Sequence, residues 1–239
     1  MTQAQPDFFE EHQDSSGFEV IIVPDFFLLG TFSDYLGIFH FKDKETQLDK
    51  YFPYEEGVAR YVNNFIFEKY LNKAHLKFEK SGHSVLYLPA LAQKLHSEYF
   101  DEKGNFIDDK LDTEEKKYSF LLGAYLRYGK HIEDNIYKIQ IVNSLKDKLL
   151  YGILKDLESD KIVYKYLRGY LPSSDIFYFE AAPRMIKYFK TVEKENQELR
   201  KKRQQHYDFI FKSKKGKELQ KKFDAQEEEL IKSLQLIFQ

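Results

Sequence analysis

Phe27-Leu-Leu-Gly30 and Phe120-Leu-Leu-Gly123 are the same tetrapeptide, met twice in one chain. Around them the sequence reads Pro24-Asp-Phe-Phe-Leu-Leu-Gly-Thr-Phe-Ser-Asp-Tyr-Leu-Gly37 and Ser119-Phe-Leu-Leu-Gly-Ala-Tyr-Leu-Arg-Tyr-Gly129. Each copy is an apolar, helix-like stretch that stops at a second glycine. Each is followed by strand-like, helix-like, strand-like, strand-like and helix-like segments in that order. A repeated segment order decides the architecture before any single element does, and here it predicts two copies of one α/β unit. A glycine inside a helix costs about 1 kcal/mol relative to alanine. Its presence in both copies therefore points to a packing role, because two helix backbones approach closely only over small residues. Gly30 with Thr31, and Gly123 with Ala124, are the residues expected at such a crossing. The alternative is two ordinary core helices that share an apolar tetrapeptide by chance.

Working outward, residues 18–23 (FEVIIV) form a β-branched run that reads as a strand or extended entry segment. Asp25 is placed to cap a helix over residues 26–36. Residues 38–42 alternate as a strand, a polar stretch follows, and residues 55–72 have helical periodicity. Residues 74–80 and 84–88 flank Ser81-Gly82 as a hairpin, and Pro89 opens a helix over residues 90–100. Residues 101–112 are polar and read as a linker. Asp112 to Glu115 has capping-box spacing for a helix that ends at Gly129. A very short strand near residues 130–132 and a strand at 137–142 come next. A second capping box at residues 144–147 opens a helix to about residue 158. Strands at 162–166 and 176–180 and a helix from Pro183 complete the second unit. Beyond residue 185 the pattern is helical and highly charged, with a break near residues 213–216. The predicted organisation is an acidic lead over residues 1–17, a first unit over 18–100, a linker over 101–112, a second unit over 113–192, and charged C-terminal helices over 193–239.

With 239 residues, 42% of them hydrophobic and 32% charged, the chain has material for a packed core and a soluble surface. It has no cysteine, which excludes disulfides and thiolate metal sites. No stretch approaches the ~18 apolar residues of a membrane span. The first residues lack the basic and apolar regions of a secretory signal. An intracellular setting, cytoplasm or organelle matrix, is the expectation. Net charge is only −2, but its distribution is uneven. Residues 1–60 carry 12 acidic against four basic side chains, and residues 183–222 carry 14 basic against five acidic. Such asymmetry hints at an anionic partner at one end; the plainer reading is a well-solvated helix. The sequence has no HExxH, Walker-type loop or GxSxG, and its histidines are scattered. His75 and His83 flank the hairpin, but two histidines without a third ligand make a poor metal site.

Residues 113–192 resemble the LAGLIDADG family of homing endonucleases, through the helix Ser119–Gly129 and the order of strand, helix, hairpin and helix behind it. Residues 25–100 resemble it more loosely, with one extra residue between the glycines and an obscure second strand. The resemblance implies an α/β (α+β) fold. It would hold two tandem αββαββα units related by a pseudo-twofold axis, plus the C-terminal helices. In active members an acidic residue stands just before each final glycine, and the two acids bind divalent metals at the helix crossing. Here those positions are Tyr128 in the second copy and Tyr35 or Leu36 in the first. Asp34 is the nearest carboxylate, and its offset would point it away. Hard divalent cations need charged oxygen ligands, so no catalytic residue, metal or cofactor is expected.

In that family the strands form a saddle along nucleic acid. The matching outward positions are His40, Lys42 and Lys77 in the first unit and Lys138, Gln140, Lys165 and Arg168 in the second. These types suit phosphate contacts and base-edge hydrogen bonds. Arg200, Lys201, Lys202 and Arg203, with residues 212–217, add electrostatic attraction. Three functions are compatible with this reading. One is a non-cleaving protein that binds RNA or DNA. A second is a structural subunit that meets a protein partner through its C-terminal helices. The third is a residually active endonuclease.

Overall fold

The computed structural model describes residues 19–32, 46–103, 105–142, 144, 146–159, 161–167, 174–210 and 212–238, and among these two antiparallel sheets and eight α-helices make a mixed α+β structure. Residues 19–23 enter as extended chain without strand pairing; Val23 donates its N–H to Ser119 Oγ at 2.8 Å. Helix α1 (Pro24–Thr31) follows, with proline at its first position, where a missing N–H breaks no helical bond. The expected cap, Asp25, lies inside the first turn, and Val23 occupies the cap position. Asp25 has other work: its carboxylate accepts from Tyr70, Tyr99 and Lys94. The expected remainder of this helix and the strand over 38–42 lie outside the described residues, and with them Asp34, Tyr35, Leu36, His40 and Lys42.

Strand β1 (Gln47–Tyr51) falls in a stretch of polar composition with no strand pattern. Gln47 and Asp49 are both buried, so apolar alternation fails as a guide there. A 3-10 turn leads into helix α2 (Glu56–Tyr70), then β2 (His75–Phe78), β3 (Ser84–Tyr87) and helix α3 (Pro89–Tyr99). The sheet order is β1-β3-β2. The 101–112 segment is polar in composition but anchored: Phe106 bridges Phe100, and both Phe106 and Leu111 are buried.

Helix α4 (Glu114–Tyr128) is capped by Thr113, whose side chain accepts from Lys116 N at 3.4 Å, one residue later than the Asp112 expected there. Gly129 ends it and starts β4 (Gly129–Glu133) without an intervening loop. Then come β5 (Ile136–Val142), helix α5 (Lys146–Asp156), β6 (Ile162–Leu167), β7 (Ser174–Glu180) and helix α6 (Pro183–Lys190). The second sheet runs β4-β5-β7-β6, so its β5-β7-β6 portion has the same order as β1-β3-β2 in the first sheet. Helices α7 (Glu193–Ile210) and α8 (Lys214–Phe238) close the chain.

Helices α1 and α4 form the centre of the main core, which spans both sheets' inner faces. Strand alternation fixes the faces of the second sheet: Tyr137, Ile139, Ile141, Phe177 and Phe179 point into that core. The opposite face is not open to solvent. Leu234 and Phe238 of α8 pack there on Ile136, Ile176 and Tyr178, with Leu230 beside them. No described helix is long and apolar enough to cross a membrane.

Candidate functional site

The crossing of α1 and α4 sets the geometry of everything above it. A Cβ built on Gly30 would collide with the carbonyl oxygen of Phe120 and approach Ala124 N to 3.0 Å. One built on Gly123 would collide with the carbonyl oxygen of Phe27 and approach Thr31 N to 2.8 Å. The two contacts are reciprocal: each glycine receives the carbonyl three residues before the other. Gly30, Thr31, Gly123 and Ala124 therefore all lie at one backbone-to-backbone contact.

The helix ends at this crossing carry unsatisfied carbonyls, and buried cationic or amide groups take them up. Lys146 reaches from α5 and donates through Nζ to the carbonyls of Leu29, Gly30 and Phe32. Asn196 of α7 does the same for α4, donating to the carbonyls of Tyr125, Leu126 and Gly129. A positive group also suits the negative end of the α1 dipole. Tyr128, at the position where the family resemblance would place an acid, is partly buried and donates its hydroxyl to Phe32 O at 3.2 Å.

Beside Tyr128 lies a fully buried ion cluster. Arg127 pairs side by side with Glu55, Nε to Oε1 at 3.1 Å and Nη2 to Oε2 at 2.7 Å. Its Nη1 donates to Asp49 Oδ2 at 2.5 Å and to Thr31 O at 3.0 Å, and Nη2 also donates to Lys50 O at 2.9 Å. All five guanidinium donors are thus engaged. Burial by itself would lower the Arg127 pKa, but Asp49 and Glu55 outweigh it and hold the group well above the ordinary arginine value. Burial likewise works to raise Glu55, and Arg127 more than cancels it, so this carboxyl sits below the usual glutamate value. Arg203 of α7 supports the cluster from the rim, 3.6 Å from Glu55 and donating to Arg127 O at 3.0 Å.

Above the cluster opens a cleft of about 1350 Å³ between the two sheets and α7. Lys50, Lys130, Lys138, Arg200, Lys201 and Arg203 line it, along with His83, His131 and His206, against only Glu55, Glu193 and Glu227. Phe52, Tyr54, Tyr128 and Tyr207 interleave with these charges. Neither a protein-family model nor a curated protein matches this sequence. The chemistry therefore has to be read from the cleft itself. Cations mixed with aromatic rings suit a polyanion that also carries planar groups. Among the described residues no three His, Asp or Glu side chains gather as a metal site.

Of the residues expected to bind, Lys138, Gln140, Arg200, Lys201 and Arg203 converge on this cleft. Lys77 and Lys165 are exposed on their strands but lie outside its lining. Lys202 points over α2, where its Nζ would stand 3.4 Å from a Cβ on Gly57. Arg168 falls outside the described residues, as do the side chains of residues 214–216. Lys138 is not an open saddle residue. Its side chain is 13% exposed, and its Nζ is 2.6 Å from Glu227 of α8, which also lies 3.6 Å from Lys130. Burial draws the Lys138 pKa down despite that partner. Glu227 is held below the usual glutamate value because Lys138 and Lys130 overcome the effect of burial. The cluster of Asp49, Glu55 and Arg127 was missed from sequence. Its one signal was Arg127 itself, the single charge in the stretch Tyr118–Arg127 that the helix buries.

Proposed function

We propose that this protein binds nucleic acid, RNA or DNA, in the cleft between its sheets and does not cleave it. The frame we infer is two LAGLIDADG-like αββαββα units about a pseudo-twofold axis, with α1 and α4 meeting below the cleft. The reciprocal glycine contacts and the shared strand order of the sheets support that frame. The binding reading rests on one observation, the excess of Lys and Arg over Glu along an aromatic-bearing cleft. Lys and Arg neutralise phosphates and release counterions, so affinity of this kind falls steeply with salt. The non-cleaving reading rests on the carboxylates. Asp49 and Glu55, the acids beside the helix crossing among the described residues, are both held by Arg127, which competes with any divalent metal for their oxygens. An intracellular setting accompanies this function.

The test is anisotropy with labelled RNA and DNA at 50 and 200 mM salt, together with plasmid incubation in Mg2+. The expected result is binding that weakens by an order of magnitude or more across that range, with no nicking. Lack of binding to any nucleic acid at the lower salt would refute the proposal. A second reading, a subunit of a protein assembly, is favoured by α8. This helix covers the outward face of the second sheet and turns Leu236 and Ile237 to solvent, 76% and 54% exposed. A partner protein seated on those side chains would protect them from solvent labelling in the assembled state.

A further inference from the structure

Five rings from three separate parts of the chain meet at the mouth of the cleft. Phe52 and Tyr54, between β1 and α2, are nearly parallel, with centroids 5.6 Å apart and planes 6° from each other. His83, from the turn between β2 and β3, lies 5.4 Å from Phe52. Helix α7 supplies His206, 5.1 Å from Tyr54, and Tyr207, 6.3 Å from Tyr54. Phe52 and Tyr207 remain 49% and 40% exposed, although such rings stabilise a fold most when covered. Exposed apolar groups gathered in one place mark a surface that meets something. The Arg203 guanidinium lies 5.4 Å from the Tyr54 ring centre, so the rings adjoin the basic lining directly.

Resting on the cleft reading above, we propose that this ring cluster is a base-stacking site for single-stranded nucleic acid. The occupant has to offer flat faces to the rings and regular negative charge to the cations a few ångströms away. A single strand offers both, because its bases are free to unstack onto aromatic side chains while its phosphates follow the cations. A duplex hides its base faces inside its own stack and offers only the charge. The cleft, at about 1350 Å³, also exceeds the ~300–1,000 Å³ typical of small-molecule pockets, as a polymer site should. Stacking is tolerant of sequence because every base has a π face, so the site grips strands without selecting a base.

The experiment uses the full chain and four labelled probes of equal length, oligo-uridylate, oligo-thymidylate, an abasic strand and a blunt duplex, with anisotropy as readout. The wild type is expected to hold one or both base-bearing strands at least tenfold more tightly than the abasic strand. The order of the uridylate and thymidylate affinities ranks the RNA strand against the DNA strand. Phe52→Ala and Tyr207→Ala should each weaken those strands by about tenfold and leave the abasic and duplex affinities unchanged. Phe52→Leu, which keeps apolar bulk without a π face, should behave like Phe52→Ala, and Phe52→Tyr should restore binding. Equal wild-type affinity for all four probes, or equal losses on the abasic strand, would overturn the stacking site and leave the basic cleft standing. Failure to bind any probe at low salt would remove the cleft reading and this site together.

Discussion

The carbonyl oxygen of Phe120 fills the space where a Cβ on Gly30 would stand, and Phe27 does the same to Gly123. The obstructing atoms are backbone, so no rotamer change relieves the clash and one helix has to move. Gly30→Ala or Gly123→Ala gains about 1 kcal/mol of helix propensity. Overpacking of this kind costs about 1–3 kcal/mol and occasionally more, and an immovable backbone neighbour puts these sites at the upper end. A net loss of about 2 kcal/mol is expected, seen as a melting temperature lower by roughly 4–8 °C for a chain of this size. The double variant should lose less than the sum, because one helix shift relieves both contacts. An unaltered melting temperature in both single variants would mean that the helices do not touch there.

Arg127 is the main countercharge of two buried acids, with Arg203 only at the rim of Glu55. Arg127→Met keeps the volume but takes the guanidinium away from Asp49 and Glu55 in the interior, and deleting one partner of a buried pair costs about 3–5 kcal/mol. Replacing the whole group, Arg127→Met with Asp49→Asn and Glu55→Gln, should recover part of that loss because no unpaired charge remains. Urea denaturation of the three proteins reads the order directly. If Arg127→Met unfolds at the wild-type midpoint, the cluster does not hold α4 to β1 and the turn before α2.

The elements that were legible in the sequence are those whose own residues carry the pattern. Glycine and proline punctuation marked α4, α3 and α6, and clean alternation marked β5, since Tyr137, Ile139 and Ile141 all face one core. Strand β1 was illegible for a physical reason. Its buried Asp49 is made acceptable by Arg127, 78 residues away in sequence, and no local pattern announces a partner so distant. The candidate site divides in the same way. Arg200, Lys201 and Arg203 are a visible basic run, and the helix they lie on does face the cleft. The ring cluster was invisible because Phe52, His83 and Tyr207 belong to three segments that only the fold brings together. Lys138 lines the cleft, but alternation gives the face of a strand and not what covers it. Here that is Glu227 of α8.

Acid should loosen the fold through the same carboxylates. Glu55 and Glu227 both have folded pKa values below their ordinary value of 4.5. A depressed carboxyl pKa contributes stability that is present above about pH 4.5 and is lost as pH falls through the folded value. Glu227 serves the seat of α8, and it is only partly covered, so its effect should appear locally. Hydrogen exchange at pH 3 should show residues 227–238 losing protection before α1 and α4 do, whereas at pH 6 to 7 the helix stays seated. Simultaneous loss of protection in all three helices would assign α8 to the global unfolding unit.

Glu227 is also a competitor for the proposed ligand, because it places a carboxylate on Lys130 and Lys138 where a phosphate would otherwise sit. Glu227→Gln keeps a hydrogen-bond acceptor for Lys138 but removes the negative charge from the cleft. Each additional phosphate contact steepens the dependence of log affinity on log salt by about 0.7 for a single strand or 0.9 for a duplex. The variant should therefore bind nucleic acid severalfold more tightly at low salt, with a slope steeper by about one contact. It should also melt slightly lower, since Lys138 is buried and loses its full countercharge. A variant with wild-type affinity and wild-type salt slope would show that the two lysines never reach the ligand. Binding would then be confined to the α7 side of the cleft, where Arg200 and Arg203 stand.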